Sequence, residues 1–121
     1  MRILLVEDDP MNVELFESAL ETDHHEVVVE RDGMAGERRA SEPFDLILLD
    51  IQLPKMSGLE VCQSLRARGL RVPIVALSAS VLPDEVARTK SAGFDVFLSK
   101  PISPRDLRAA VRRLAAPRPA A

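Results

Sequence analysis

Tryptophan and tyrosine are absent from this 121-residue chain, and four phenylalanines are its only aromatic residues. Without large stacking side chains there is no platform for nucleobases or flavin rings. A single cysteine, Cys62, excludes an internal disulfide and has no sulfur partners for a metal cluster. A free cysteine of this kind reads as a small core residue rather than a reactive thiol. No apolar run approaches the roughly 20 residues that span a bilayer. The chain enters a strand within two residues of its start, which leaves no room for a signal peptide. Positive charge is not in excess either: 16 Lys and Arg against 19 Asp and Glu leave a formal charge of -3, so no whole-chain field holds nucleic acid. What remains is an ordinary soluble, cytoplasmic domain, long enough to bury a core without covalent staples.

The most informative stretch is Asp45-Leu46-Ile47-Leu48-Leu49-Asp50. An uninterrupted apolar run bounded by carboxylates reads as a strand buried on both faces, with Asp50 where a parallel sheet ends and a loop begins. Upstream, Arg2 to Val6 is a strand that closes in Glu7, Asp8 and Asp9. Asp9 can cap a helix whose first position is Pro10. Met11, Leu15, Ala19 and Leu20, widened by Val13 and Phe16, form the expected apolar stripe of that helix to about Glu21. Val27 to Val29 is β-branched and reads as a second strand. A short helix is expected after Asp32-Gly33, with a poor apolar face of Met34, Ala35 and Ala40 interrupted by Gly36.

After the central strand, Pro54 and Ser57-Gly58 shape a loop. Leu59, Val61, Cys62 and Leu65 then mark a helix stopping near Gly69. Val72 to Leu77 is a fourth strand, and Pro83 opens a helix with a sparse face of Val86, Ala87 and Ala92. Asp95 to Leu98 is a fifth strand, and Ser103-Pro104 caps a last helix carrying Leu107, Ala110, Val111 and Leu114. Residues 1–121 read as one domain with its core over about 1–115, and the Pro/Ala-rich tail from Ala116 to Ala121 frays. Five strands alternating with five helices predict an α/β, flavodoxin-like (βα)5 three-layer fold with parallel strand order 2-1-3-4-5.

In that order the switch point lies between the first and third strands, so Glu7, Asp8 and Asp50 converge. Crowded carboxylates stay ionised only if a cation or strong donors neutralise them, and a hard divalent ion with oxygen ligands does so. Ser78 and Lys100, at the ends of the fourth and fifth strands, add a hydroxyl and an ammonium. A metal and a lysine around one acceptor carboxylate suit in-line phosphoryl transfer, with Asp50 the acceptor. Singly, Asp9 is as readily a cap, Ser78 a turn residue and Lys100 a solvated cation. Their convergence on one sheet edge is what favours the functional reading.

These residues resemble the receiver domain of two-component response regulators, a largely bacterial, chemotaxis-regulator-like family. The likeness runs from Ile3-Leu4-Leu5-Val6-Glu7-Asp8-Asp9 through Leu48-Leu49-Asp50-Ile51-Gln52-Leu53-Pro54-Lys55-Met56-Ser57-Gly58 and Ala76-Leu77-Ser78-Ala79 to Leu98-Ser99-Lys100-Pro101. The resemblance implies Asp50 as phosphoacceptor and Mg²⁺ ligand, Asp8 as direct ligand, Glu7 as ligand through water and the Gln52 backbone carbonyl as a further ligand. Mn²⁺ is a possible substitute. It further implies Ser78 as switch hydroxyl, Lys100 as phosphate-pairing ammonium before a cis bond to Pro101, and Phe97 as switch aromatic. Gln52 and Ser80 stand where the family tunes phosphoryl lifetime. The second helix departs from the family, with Gly36 where a small alanine and Glu37 where an apolar residue are usual, so it should be short, mobile or differently packed. Implied partners are a histidine kinase or histidine phosphotransfer protein, and a downstream protein that reads the fourth helix, fifth strand and fifth helix.

The expected function is therefore that of a stand-alone phosphorylation-dependent binding module, not an enzyme. Met11 to Phe16 also resembles the corresponding stretch of cell-division regulators within the family. An aspartyl phosphatase is the competing enzyme reading, but Gln52 stands where such enzymes often place a general acid. Nucleic-acid binding by Arg105, Arg108, Arg112 and Arg113 is the third. A solvated helix face without accompanying aromatics is the simpler account of that run.

Overall fold

A computed structural model of the chain describes residues 1–79 and 82–115. Among them β1 (Arg2–Val6), α1 (Pro10–Thr22), β2 (Glu26–Glu30), α2 (Gly33–Arg39) and β3 (Leu46–Asp50) make the first half. The second half is α3 (Gly58–Ala67), β4 (Ile74–Ser78), α4 (Pro83–Ala92), β5 (Val96–Ser99) and α5 (Pro104–Ala115). The strands form one parallel sheet in the order β2-β1-β3-β4-β5, as expected. Ser80 and the tail from Ala116, both singled out in the sequence, lie outside the described residues.

The two-residue period of the strands divides the core. Ile3, Leu5, Leu46, Leu48, Val75 and Leu77 face one side, where Phe16, Ala19 and Leu20 of α1 and Leu107 and Val111 of α5 cover them. Leu4, Val6, Ile47, Leu49, Ile74 and Ala76 face the other, under Val61, Cys62 and Leu65 of α3 and Ala92 of α4. Both faces are filled, so β3 and β4 read as apolar runs rather than alternating ones, and both are buried throughout.

Three expectations about helix faces are corrected. In α1 the stripe through Val13, Phe16 and Leu20 is the one buried, while Met11 is 73% and Leu15 46% exposed. Both stripes satisfy helical spacing, and the crossover angle of α1 chooses between them. In α4, Ala87 is exposed and the buried positions are Thr89 and Ala92, the Thr89 hydroxyl donating to the Glu85 carbonyl at 2.8 Å. A threonine that satisfies its own hydroxyl can occupy an apolar position. In α2, Met34 is half exposed. The fourth and fifth strands also run one residue later at their C-terminal ends than expected, closing on Ser78 and Ser99.

α2 packs through backbone rather than side chains. A β-carbon on Gly36 would lie 2.8 and 2.9 Å from the two γ-carbons of Val6, so its absence lets the helix rest directly on β1. Its Glu37 accepts from the Ser64 hydroxyl at 3.1 Å and pairs with the Arg68 guanidinium, which also donates to the Ser41 hydroxyl at 2.7 Å. The departure at these two positions therefore produces a short helix held to α3 by polar contacts.

Candidate functional site

The same alternation that divides the core aims the polar residues beyond the strand ends. Glu7 continues the register of Ile3 and Leu5, Asp50 that of Leu46 and Leu48, and Lys100 that of Leu98. All three point to the side of the sheet that α1 and α5 cover. Ser78 and Phe97 have the opposite parity, with Phe97 half buried against the α3/α4 side.

Two backbone contacts fix Asp50. The Gln52 amide donates to Asp50 Oδ1 at 3.1 Å. Gly58, at the start of α3, returns to the strand end with its amide on the Ile51 carbonyl at 2.8 Å. A β-carbon there would sit 2.1 Å from the Asp50 carbonyl oxygen, so only glycine lets α3 begin this close. Asp9 caps α1 by accepting from the Met11 amide at 2.9 Å, which leaves Glu7 and Asp8 on the strand-to-helix turn.

Lys100 joins the acids. Its Nζ donates to Glu7 Oε2 at 2.9 Å, Glu7 Oε1 at 3.1 Å and Asp50 Oδ2 at 3.0 Å. It reaches them because the Lys100 amide donates to the Ser78 carbonyl at 2.7 Å, and a cis peptide bond to Pro101 follows, as expected. Glu7 is fully buried, whereas Asp8 is exposed. Burial raises the Glu7 carboxyl above its ordinary range and the neighbouring Asp50 charge adds to this, with Lys100 pulling back. For Lys100, burial opposes the charge, but hydrogen bonds to Glu7 and Asp50 outweigh it and the ammonium is held above its ordinary value.

One oxygen each from Glu7, Asp8 and Asp50 lie within 4.8 Å of one another. Oxygens on opposite sides of Mg²⁺ are about 4.2 Å apart, so an all-oxygen set of this spread fits a hard divalent ion after small rotations or through a water. The structure also adds Asn12, which sequence reasoning missed: its Nδ2 donates to Glu7 Oε1 at 3.4 Å. Its signals were a polar residue in the first turn of α1, on the helix that leaves the acidic cluster, and its place in the Met11 to Phe16 stretch, which bears on resemblance and not on the site. Ser78, buried at the end of β4, lines a cavity of about 140 Å³ with Gln52, Leu59, Arg88 and Thr89. Glu7, Asp8, Asp50 and Lys100 are thus brought together, Gln52 touches them through its backbone, and Phe97 stands apart on the other face.

A doubly covered parallel sheet with charged residues converging at its carboxyl edge belongs to the class of open α/β proteins that work at a topological switch point. Residues 3–112 match the response regulator receiver domain, and the chain belongs to that family. It is 42% identical over 116 residues to the sensor histidine kinase AruS of Pseudomonas aeruginosa, covering 92% of this chain but 12% of that protein. It is 38% identical over 104 residues to the polar-differentiation response regulator DivK of Brucella ovis, covering 84% of this chain and 85% of that one. Among solved structures, the receiver domain of the sensor histidine kinase PA1611 from P. aeruginosa has 34% identity and a TM-score of 0.86 over 95% of this chain and 98% of that one. That structure carries a magnesium ion coordinated in its active-site cleft. Receiver domains are phosphoacceptor switches of two-component signalling rather than enzymes, and aspartyl phosphorylation and Mg²⁺ binding are general to the family. Among the described residues no helix is long and apolar enough to cross a membrane.

Proposed function

We propose that this chain is a phosphorylation-activated switch that takes a phosphoryl group onto Asp50 from the phosphohistidine of a histidine kinase or phosphotransfer protein. The observation that carries the reading is the single ammonium of Lys100 bridging Asp50 Oδ2 and Glu7 while the Gln52 amide holds Asp50 Oδ1. A carboxylate so held is oriented for attack. One Asp50 oxygen forms the new bond to phosphorus, the phosphorus–nitrogen bond of the donor breaks, and the electron pair leaves on the imidazole.

Glu7, Asp8, Asp50 and the Gln52 carbonyl are the residues that would hold Mg²⁺, or Mn²⁺ in its place. An ion held there would supply positive charge to offset the negative charge building on the phosphoryl oxygens. Lys100 then exchanges carboxylate partners for phosphoryl oxygens, and Ser78, at the next strand end, supplies a hydroxyl to another. Movement of Ser78 draws on the neighbouring cavity and biases the position of Phe97, so that one of two pre-existing arrangements is favoured. The surface that changes is formed by α4, β5 and α5, and a protein partner reads it. Residues 1–121 act as one receiver unit, in the cytoplasm with its kinase.

The test is incubation with acetyl phosphate or beryllofluoride, with and without Mg²⁺, followed by intact mass and chemical-shift measurement. The expected result is one Mg²⁺-dependent adduct that Asp50→Ala abolishes. An adduct that survives Asp50→Ala, or none at all in the parent chain, refutes the assignment.

A further inference from the structure

We infer, resting on the assignment of Gln52 as a Mg²⁺ ligand proposed above, that Asp32 and Gly33 at the start of α2 are positioning residues for the metal side of the site. They hold the loop between β3 and α3, and with it the Gln52 carbonyl, at a fixed distance from the acids after β1. That loop runs from Ile51 to Ser57 without regular structure. Its ends are tied to the sheet: the Ile51 amide donates to the Leu77 carbonyl at 3.0 Å, and the Gly58 amide returns to the Ile51 carbonyl at 2.8 Å. The middle of the loop is held by α2.

Pro54, two residues after Gln52, accepts two amides on its carbonyl, that of Met56 at 2.8 Å and that of Gly33 at 3.2 Å. The first closes a three-residue turn around Lys55, whose φ of 70° lies in the left-handed region. A turn of this hand is strained for a residue with a β-carbon and persists only where its surroundings hold it. Gly33 supplies that hold from α2. A β-carbon on Gly33 would lie 1.7 Å from the Met56 carbonyl oxygen and 2.6 Å from the carbonyl carbon. Both are backbone atoms, so no side-chain rotation makes room for it. Asp32 completes the contact: its Oδ1 accepts from the Ala35 amide at 2.8 Å, and its Oδ2 lies 3.8 Å from Lys55 Nζ. Lys55 is largely exposed, so the ion pair contributes little by itself. The cap matters more, because it fixes where α2 begins.

The other end of the same short helix gauges the distance to the acids. Gly36 rests on Val6, the residue before Glu7, with no room for a β-carbon, and Glu37 pairs with Arg68 of α3. α2 therefore touches both the strand end that carries Glu7 and Asp8 and the loop that carries Gln52, and it sets the spacing between them. Mg²⁺ demands near-ideal octahedral geometry, whereas Ca²⁺ accepts flexible and longer coordination. A change in that spacing falls on Mg²⁺ first.

The test titrates Mg²⁺ alone and Ca²⁺ alone into the chain, followed by amide chemical shifts. Gly33→Ala is expected to weaken Mg²⁺ at least about tenfold, the ordinary cost of losing support behind a ligand, and Ca²⁺ less, so the preference for Mg²⁺ falls. In the metal-free chain the Met56 amide should exchange with solvent faster than in the parent. Asp32→Ala forces no backbone clash and is expected to weaken Mg²⁺ in the same direction, whereas Asp32→Asn, which can still cap α2, does so less. Val111→Ala, a core truncation in α5, lowers stability and leaves both affinities unchanged. Circular dichroism melts show which variants are folded. An Mg²⁺ affinity unchanged in Gly33→Ala and Asp32→Ala overturns the proposal. So does an equal loss for both ions, or a Val111→Ala loss as large as that of Gly33→Ala. A parent chain that binds no Mg²⁺ refutes the metal assignment itself, a result distinct from a parent that binds and variants that match it.

Discussion

Lys100→Met removes the one cation among the described residues that pairs with the two buried carboxylates, and the cost of doing so can be worked from the site. Breaking a buried charge cluster by deleting one partner ordinarily costs about 3–5 kcal/mol. Glu7, however, has an escape, because its carboxyl is already pushed above its ordinary 4.5 by burial and by Asp50. Without Lys100 nothing pulls that carboxyl back down, so its pKa rises further and protonation relieves more of the loss as pH falls. Lys100→Met is therefore expected to lose about 3 kcal/mol at pH 7, the low end of that range, and clearly less at pH 5, read by urea unfolding followed by circular dichroism. At roughly 4 °C per kcal/mol for a chain of this size, the pH 7 melting temperature falls by about 12 °C. The sign follows from linkage. A carboxyl whose folded pKa is raised takes stability away as pH rises from its unfolded value through its folded one, and the variant widens that window. Millimolar Mg²⁺ should return much of the loss at pH 7 and little at pH 5, since the ion substitutes for the missing cation only when the acids are ionised. An equal loss at both pH values, or one that Mg²⁺ leaves unchanged, would refute the argument that Lys100 serves as the counter-ion of this cluster.

Gly36→Ala would gain up to about 1 kcal/mol of helix propensity but places a β-carbon under 3 Å from Val6, so a net loss of about 1 kcal/mol in urea unfolding is expected; a stabilised variant would show that α2 can lift off β1 freely. Cys62 is buried with its thiol pushed up to about 11 by burial and donating to the Ala92 carbonyl at 3.4 Å. It should resist a thiol-reactive disulfide reagent at pH 8 in the native chain and react at once in urea, and rapid native labelling would contradict the packing of α3 on α4. Asn12→Ala frees the Glu7 carboxylate from its α1 contact and should change Mg²⁺ affinity by up to about tenfold in titration calorimetry without abolishing it. An unchanged affinity would leave Asn12 a bystander.

The legible parts of this chain were those set by one strand at a time. The run from Leu46 to Leu49 could only be a strand covered on both faces, which put Asp50 at a sheet edge, and the acids after Val6 did the same for β1. Once the strand order followed, Glu7, Asp8, Asp50 and Lys100 had to meet. What the sequence did not disclose depends on how elements dock. Met11 and Leu15, four apart, fit a helical stripe as well as Val13 and Phe16, three apart, and only the angle at which α1 lies on the sheet exposes the first pair. Gly36 reads as a weakness in a helix until Val6 is seen directly beneath it, and Thr89 reads as polar until its hydroxyl turns back onto its own helix. Asn12 lies in the Met11 to Phe16 stretch, but nothing in that pattern points to Glu7, because its relevance lies in one contact across a turn.

The parity of the strands also constrains how the proposed switch can work. Asp50 and Lys100 project toward the α1/α5 side, whereas Ser78 and Phe97 project toward α3 and α4. A phosphoryl group on Asp50 that acts only on groups of its own parity would leave α4 untouched. The crossing point is the end of β4, where the Ser78 carbonyl receives the Lys100 amide at 2.7 Å while its side chain lies on the opposite face from the Lys100 ammonium. One residue thus touches both layers, through its backbone on one side and its hydroxyl on the other. A shift of Lys100 toward a phosphoryl group pulls on the strand end that carries Ser78, and the cavity beside Thr89 and Arg88 gives that strand end somewhere to go. Filling the cavity from the α4 side, with Thr89→Leu, should leave adduct formation at Asp50 intact while suppressing the chemical-shift changes in β5 that accompany it. If those changes persist at full size, the signal does not pass through this cavity.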